Sequence, residues 1–194
     1  MNALAGAEQK MIAEWQIRDV IARYARGVDR RSGALVRDCF HPGALTHYGV
    51  FDGDVDRFVP WVLAEVGSYS RTMHFQGLSI IDWPDDRAGM RAIVETYAIT
   101  LHEKGDGAQG RSWVGGIRYV DRFERRPLST GLDEAWRIAE RTVVGEWLRT
   151  DPTENHRRFP KQVPIGQTGR DDLIFQLMDQ TLGGGKPFSV DPSQ

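Results

Sequence analysis

The hydrophobic positions near the N-terminus repeat at helical spacing. From Gln9 to Val28 the apolar residues recur mostly three or four positions apart, which is the period of an amphipathic helix. Ser32 and Asp54 are residue types that cap helices, so a short second helix and a third helix are predicted to follow them. The sequence HPG at 41–43 is expected to stop the second helix. Three helices therefore precede most of the strands.

The pattern then changes to long segments rich in β-branched and aromatic residues. A short strand is predicted at Leu45–Phe51, and longer strands at Thr72–Trp83, Gly89–Glu103, Ser112–Arg125 and Glu134–Arg149. The turn sequences PDDRAG, GDGAQG and PLSTG separate the four long strands. Strands joined by such short connections pair antiparallel, and twist should curl a sheet of this length. The predicted fold class is therefore α+β, with a curved antiparallel sheet packed against three N-terminal helices.

Residues 1–150 are predicted to form one domain, and residues 151–194 an extension. The stretch DPTENHRRFPKQVPIGQTG after Thr150 is polar and rich in helix and strand breakers, and one helical patch follows at Leu173–Met178. We expect this extension to lie over the mouth of a pocket or against a neighbouring subunit.

Composition narrows the classes of function. The chain has 194 residues, of which 40% are hydrophobic and 27% charged, and its formal net charge is only −2. This balance predicts neither nucleic-acid nor membrane binding. The N-terminus lacks signal-peptide character, no run of about 18 apolar residues occurs, and Cys39 is the single cysteine. A cytoplasmic location is predicted.

No metal or cofactor motif is recognised in the sequence. The five histidines fall at no metal-ligand spacing and no CxxC is present, so no metal site is predicted. GDGAQG joins two predicted strands and is not followed by a helix, so it is interpreted as a hairpin turn and not as a phosphate-binding loop. No cofactor is expected.

Several polar side chains occur among apolar neighbours in a way that suggests a lined cavity. Tyr24 shares the apolar face of the first helix, and Asp29 comes where that helix ends. His74 alternates with Gln76, Leu78 and Ile80 along its strand, while Glu95 and Tyr97 share a face of the next. Tyr48 lies in an apolar strand, and Arg141 is in phase with Ala139 and Val143. Either burial beside an anion or exposure at a strand edge would suit Arg141.

Four segments together resemble the SnoaL-like branch of the NTF2-like superfamily: IRDVIARYARGVDRRSGALVRDCFHPGA, HFQG, VETYAIT and WRIAERTVVGEW. The similarity covers about residues 10–150. It implies a cone-shaped sheet around a deep pocket and an association into dimers or trimers.

The resemblance also implies site residues. Asp29 and His74 match the central pair of the cofactor-free lyases in this branch, Tyr24 and Tyr48 match its tyrosines, and Arg141 matches an arginine on the last strand. Tyr97 falls where relatives place a second histidine or an acid. A phenol is a poorer base than imidazole near neutral pH, so a role for either Tyr97 or Glu95 stays open. Trp61, Phe51 and Met73 are further candidates for substrate contact.

The functional hypothesis is a lyase without metal or cofactor. A neutral imidazole is the natural base near pH 7, so His74 is expected to remove a proton while Asp29 orients it. The expected reaction is elimination from a small cyclic or aromatic hydrophobic substrate, of dehydratase type, or retro-aldol carbon–carbon cleavage of a lignin-like diol. The alternatives are an isomerase or cyclase, a protein that binds a hydrophobic ligand unchanged, and the non-catalytic small subunit of an aromatic-ring dioxygenase.

Overall fold

The computed structural model describes residues 3–84, 90–105, 109–127, 134–153, 159–160 and 162–183. These ranges form an α+β structure, as predicted. Its helices and strands are, in chain order, α1 (Ala3–Asp29), α2 (Gly33–Asp38), β1 (Phe40–His47), β2 (Asp52–Asp54), α3 (Val55–Gly67), β3 (Arg71–Asp82), β4 (Arg91–Lys104), β5 (Arg111–Pro127), β6 (Glu134–Pro152) and α4 (Leu173–Gly183). Within the described ranges, no helix combines the length and apolar character that crossing a membrane requires.

The second and third helices begin where the sequence predicts, whereas α1 begins at Ala3, before the predicted start at Gln9. The hydroxyl of Ser32 accepts a hydrogen bond from the backbone N–H of Leu35 at 3.4 Å, and the carboxylate of Asp54 accepts one from the N–H of Arg57 at 3.0 Å. Both bonds satisfy donors that a helix N-terminus leaves unpaired. The apolar stripe of α1 is buried at its core-facing positions, which are Ile17, Val20, Ile21, Tyr24 and Val28.

In the described ranges, six strands form one curved sheet in the order β2-β1-β6-β5-β4-β3, with β2 and β3 at its edges. All neighbours pair antiparallel except β1 and β6, which run parallel. The wholly antiparallel sheet expected from the sequence is therefore wrong at this one pairing. The reason is that most of the chain of the domain lies between β1 and β6, and a connection of that length allows two strands to pair in parallel.

The first predicted strand also needs correction. The expected strand Leu45–Phe51 coincides only with the end of β1, which begins earlier, at Phe40, and ends at His47, while β2 begins at Asp52. The second helix ends at Asp38, before the HPG sequence at 41–43 that was expected to stop it, and β1 runs through that sequence. A register shift between Phe40 and Leu45 accommodates that sequence, because a bulge tolerates a missing N–H.

Side chains from the helices and from one face of the sheet form the hydrophobic core. We call the face toward the helices the inner face and the opposite one the outer face. Along β4, residues with even numbers from Ala92 to Thr100 are buried and their odd-numbered neighbours are half-buried or exposed. Buried inner-face residues include Val94, Ala98, Tyr119, Phe123 and Ile138.

Candidate functional site

Asp29 is the last residue of α1, and the chain turns sharply behind it. Arg31 adopts a left-handed backbone with φ of 53°, which ends the helix. Gly27 lets α2 fold back onto α1, since a Cβ there would lie 2.9 Å from a methyl group of Val36. Local structure thus places the carboxylate at a helix end that faces β3, as the sequence predicts for Asp29.

The carboxylate of Asp29 holds His74 through two hydrogen bonds. Oδ1 lies 2.7 Å from ring nitrogen Nδ1, and Oδ2 accepts the backbone N–H of the same residue at 2.9 Å. The side chains are 8% exposed for His74 and 9% for Asp29. Among the described residues, the other ring nitrogen of His74, Nε2, makes no hydrogen bond. The structure thereby brings together the two residues that the sequence singled out.

The charge state of Asp29 follows from its contacts. Burial works to raise its pKa, but the hydrogen bond and charge of the His74 ring, the backbone N–H of His74 and the nearby Thr72 hydroxyl lower it below its ordinary value. The carboxylate is therefore ionised at neutral pH and accepts a hydrogen bond from the Nδ1–H group of His74. This arrangement leaves the lone pair of a neutral imidazole on Nε2.

A second histidine, His102 on β4, contacts the first. The two rings meet edge to face with centroids 5.3 Å apart, and the ring centroid of Tyr69 lies 4.8 Å from that of His102. Burial, together with the charge of His74, lowers the pKa of His102 to about 4, so this ring is neutral at pH 7. The sequence analysis missed His102. Alternation along β4 separated it from Tyr97, but nothing in the sequence indicated which of the two faces was inward.

A cavity of about 560 Å³ is lined by His102, whose ring contacts that of His74, while His74 and Asp29 are not among its lining residues. It lies between Tyr69 and the strands β4, β5 and β6, and His102 is one of its walls. Most of its lining is apolar or aromatic, as a site for a small hydrophobic molecule requires. The remaining lining residues are Thr100, Trp113, Gly115, Ile117, Gly145, Glu146, Trp147 and Leu148.

The two predicted tyrosines form a buried hydroxyl pair. The oxygens of Tyr24 and Tyr48 lie 2.5 Å apart. Burial raises the pKa of each hydroxyl above its ordinary value, and for Tyr24 the neighbouring Tyr48 raises it further. Trp61 packs edge-on against Tyr48 at 5.9 Å between ring centroids and stacks on Phe51 at 4.8 Å. These two predicted contact residues thus support the hydroxyl pair from the side of α3.

Arg141 is fully buried rather than placed in water at a strand edge. Its Nε and Nη2 donate to the two carboxylate oxygens of Asp121 at 2.7 and 2.6 Å, and both side chains are 0% exposed. Its guanidinium lies 4.2 Å from the ring centres of both Tyr24 and Tyr119. Although burial opposes a charge here, Asp121 raises the pKa of Arg141 well above its usual value. Burial raises the pKa of Tyr119 well above its ordinary value, and the nearby Tyr24 raises it further while Arg141 lowers it.

Three predicted contact residues lie on the outer face, away from His74. Tyr97 is 54% exposed and Met73 52%, while Glu95 binds Arg118 at 2.5 Å. This placement corrects the expectation that they share a pocket with the Asp29–His74 pair. The physical reason is the strand period of two, which directs odd-numbered side chains of β3 and β4 outward. His102, and not Tyr97, is the partner of His74 on β4.

A bulge alters the second half of β3. The sequence predicts Leu78 and Ile80 on the face of His74, but they are 91% and 55% exposed. The register shifts between Gln76 and Ser79, so that Ser79 turns inward and its hydroxyl lies 2.8 Å from that of Thr96. One extra residue reverses the alternation from that point onward.

Part of the extension can be followed back to the turn after α1. The backbone N–H of Gly169 donates to the carbonyl of Arg30 at 2.8 Å, and the guanidinium of Arg30 donates to the carbonyl of Gln167 at 2.7 Å. The same guanidinium lies 3.4 Å from the carboxylate of Asp172. The extension therefore contacts the residue next to Asp29. Residues 154–158, 161 and 184–194 lie outside the described residues.

In the described part of the chain, no group of three or more His, Cys, Asp or Glu side chains is arranged to hold a metal ion. The single cysteine, Cys39, is buried, and burial raises the pKa of its thiol to about 12. The thiol is therefore protonated at neutral pH.

Residues 9–142 match the SnoaL-like domain family. Solved structures share the fold at low identity. A putative scytalone dehydratase from Novosphingobium aromaticivorans is 14% identical, with a TM-score of 0.60 over 78% of this chain and 93% of that one. A hexachlorocyclohexane dehydrochlorinase, LinA-type3, from Novosphingobium barchaimii is also 14% identical, with a TM-score of 0.63 over 78% and 97%.

A putative aromatic ring hydroxylase from Novosphingobium aromaticivorans is 19% identical, with a TM-score of 0.59 over 73% of this chain and 94% of that one. A comparison with curated proteins gives no match. The structural similarities establish the fold, and at these identities they carry no assignment of activity.

Proposed function

The chain belongs to the SnoaL-like domain family, and from this premise we propose that it is a cofactor-independent lyase acting on a small cyclic or aromatic substrate. The observation that carries the proposal is the Asp29–His74 pair, whose oxygen and nitrogen atoms lie 2.7 Å apart and leave Nε2 without a hydrogen bond among the described residues. A nearly dry carboxylate–imidazole pair, in contact with a histidine that lines an apolar cavity, is suited to proton abstraction.

His74 acts as the general base in this proposal. Its Nε2 takes a proton from a substrate carbon next to a carbonyl or an aromatic ring, and the electron pair of the broken C–H bond forms the new double bond. Asp29 holds the ring in the productive tautomer and stabilises the imidazolium that forms. The neutral ring of His102 lets this cation form without a second positive charge beside it.

The hydroxyl pair of Tyr24 and Tyr48 supplies the acid. As the C–O bond breaks, the pair donates a proton to the departing hydroxyl, which leaves as water, and the proton held by His74 later returns to the pair through solvent. The same donors would serve a retro-aldol cleavage, in which His74 takes the proton of a hydroxyl group and a C=O bond forms as the C–C bond breaks. The electron pair of the C–C bond passes into an enolate, whose oxyanion the donors stabilise until the proton held by His74 returns to its carbon. Arg141 lies against the ring of Tyr24 and supports the charge that develops on these oxygens.

The cavity supports the substrate class. Rings of Tyr69, His102 and Trp113 form part of its wall, and a volume of about 560 Å³ suits a molecule of one to three rings. Two of the structural neighbours carry the names of a dehydratase and a dehydrochlorinase, and both names describe eliminations.

The second candidate function is ligand binding without chemistry, either alone or as a small subunit beside a larger enzyme. The cavity would bind a hydrophobic molecule whether or not His74 acts on it, and the fold also occurs in a protein named as a putative aromatic ring hydroxylase. Only a chemical assay separates the two functions.

Hydrogen exchange provides that assay without knowledge of the natural substrate. The probe is β-tetralone, a bicyclic aromatic ketone, incubated with the protein in heavy water, and mass spectrometry follows deuterium entry next to the carbonyl. The wild type is expected to accelerate exchange, and His74→Ala and Asp29→Asn to lose about a hundredfold or more of that rate, which is the usual contribution of a general base.

The matched control is a second histidine–aspartate pair, which is exposed to solvent. His47 Nδ1 lies 2.8 Å from the carboxylate of Asp52, so His47→Ala and Asp52→Asn remove the same groups where solvent surrounds them. Both controls are expected to exchange at the wild-type rate. Equal rates in all five proteins, with ligand retained, would contradict the lyase and favour a binding protein.

The natural substrate can be sought by mass spectrometry of small molecules that copurify with the Asp29→Asn variant. A cyclic or aromatic alcohol, ketone or halide that the wild type converts would support the proposal. The wild type should convert it at the same rate after treatment with a chelator, and a loss of rate would contradict the cofactor-independent mechanism.

A further inference from the structure

The ion pair between Arg141 and Asp121 leaves one donor unused. Two of the guanidinium nitrogens are held by the carboxylate, whereas Nη1 is buried and has no hydrogen-bond partner in the described structure. Both side chains are completely enclosed. A buried N–H without an acceptor is unfavourable, so such a group indicates either a ligand or a functional constraint.

The guanidinium lies beside the proposed proton donors. It stands over the face of Tyr24, whose hydroxyl contacts that of Tyr48 at 2.5 Å. Burial raises the pKa of both hydroxyls, and the positive charge of Arg141 opposes that effect on each. The cation is therefore near enough to act on the pair.

The two-point contact with Asp121 fixes the orientation of the Arg141 guanidinium. A carboxylate that binds Nε and Nη2 together sets the plane of a guanidinium, whereas a single contact would let it rotate. Asp121 and Arg141 are direct cross-strand neighbours on β5 and β6. Hydrophobic residues of similar size would often stabilise such a position at least as well, so the charges are better explained by a use than by stability.

We propose that Asp121 is a positioning residue that clamps Arg141, so that the guanidinium prepares the Tyr24–Tyr48 hydroxyl pair to give up a proton. The inference rests on the proposed function, in which this pair is the acid. Asp121 itself contacts neither substrate nor the reacting atoms.

Titration of ring-labelled tyrosines by NMR tests the clamp without any substrate. In Asp121→Asn the amide keeps an acceptor for Arg141 but removes the compensating charge, so the buried tyrosines should ionise about one to three pH units lower than in the wild type. Glu140→Gln is the matched control. Glu140 follows the same pattern one residue along, since it pairs with Arg122 across the same two strands, but on the outer face. In Glu140→Gln the buried tyrosines should titrate as in the wild type.

The double variant Asp121→Asn/Arg141→Gln separates charge from loosening of the core. Removing the cation as well should return the titration to the wild-type value or above it. A loosened core would instead expose the tyrosines and lower their titration in both variants, which would overturn the inference. The double variant keeps an amide pair in place of the ions, so it also serves if Asp121→Asn alone does not fold. A double variant that titrates below the wild type would then overturn the inference.

Exchange of β-tetralone completes the test. Asp121→Asn should lower kcat about tenfold with little change in KM, because a single amide acceptor no longer fixes the guanidinium over the donors, and this loss of orientation outweighs their greater acidity. A titration shift in a protein that catalyses no exchange would disprove the proposed function and leave the clamp intact. Wild-type titration in Asp121→Asn, with exchange intact, would disprove the clamp and leave the function standing.

Discussion

Arg141 and Arg118 are similar arginines on opposite faces of one sheet. Each binds carboxylate oxygens, Arg141 those of Asp121 and Arg118 those of Glu95 and Glu146, and each lies over a tyrosine ring. Arg141 is 0% exposed, whereas the side chain of Arg118 is 26% exposed. The chemistry of the two groups is nearly the same, and only their surroundings differ.

The difference teaches that burial, and not residue type, decides what a charged cluster can do. On the outer face, water and salt screen the charges, and Tyr97 and Arg118 contribute little to a reaction. On the inner face, the low dielectric strengthens every contact between Asp121, Arg141 and Tyr24, and leaving any one of them unpaired is unfavourable. Proton chemistry is therefore expected on the inner face alone.

The largest effect should come from removing the buried arginine. Arg141→Met leaves the carboxylate of Asp121 buried without a partner, so the free energy of unfolding should fall by about 3 to 5 kcal/mol. Arg118→Met, the same change on the outer face, should unfold like the wild type. Urea denaturation of both variants measures this, and equal losses would show that burial does not distinguish the two arginines.

An intermediate effect is expected from acid. The folded-state pKa of His102 is lowered to about 4, so between about pH 6.5 and pH 4 the unfolded chain binds more protons than the folded one. Stability should therefore fall by roughly 3 kcal/mol as the pH drops through this window, with no contribution from His102 above it.

His102→Asn should flatten that part of the stability curve, measured by urea denaturation at a series of pH values. A residual slope is expected from His41, whose pKa burial lowers even though its ring is bonded to the carbonyl of Glu124 at 2.7 Å. An unchanged slope in the variant would mean that His102 is not held neutral by the fold.

A smaller effect should separate two tyrosines. Tyr48→Phe leaves the hydroxyl of Tyr24 buried without its partner, which should lower stability by about 1 kcal/mol and slow β-tetralone exchange about tenfold. Tyr97→Phe removes an exposed hydroxyl and should change neither quantity. If Tyr97→Phe slowed exchange as much, the outer-face cavity of about 470 Å³ that Tyr97 lines with Phe75, Ile99 and Trp147 would be the better candidate site.

The smallest effect concerns two glycines of the sheet, one on β5 and one on β6. A Cβ at Gly116 would meet the indole of Trp147, which is 51% exposed and can move aside, whereas nothing lies within 4 Å of a Cβ at Gly145. Gly116→Ala should lower stability by about 0.5 kcal/mol and alter tryptophan fluorescence. Gly145→Ala should be neutral or slightly stabilising. Identical spectra for the two variants would contradict the packing of Trp147 over β5.

The sequence by itself determined the local structure and part of the site. Helical spacing predicted α1, and capping residues located the starts of α2 and α3, because these signals act over a few neighbouring residues. Alternation in β4 correctly placed Glu95 and Tyr97 on a shared face. The position of Asp29 at the end of α1, and of His74 within β3, also followed from local patterns.

Only the tertiary structure decided which face of the sheet is inward and which strands are neighbours. Alternation defines two faces but does not say which one the helices cover, so it could not correct the family resemblance, which indicated Tyr97 and not His102. The bulge after Gln76 and the parallel pairing of β1 with β6 likewise depend on strand partners that are distant in the chain. Asp121 became a candidate only once it lay opposite Arg141, because the strength of a charge pair depends on the burial that the whole fold provides.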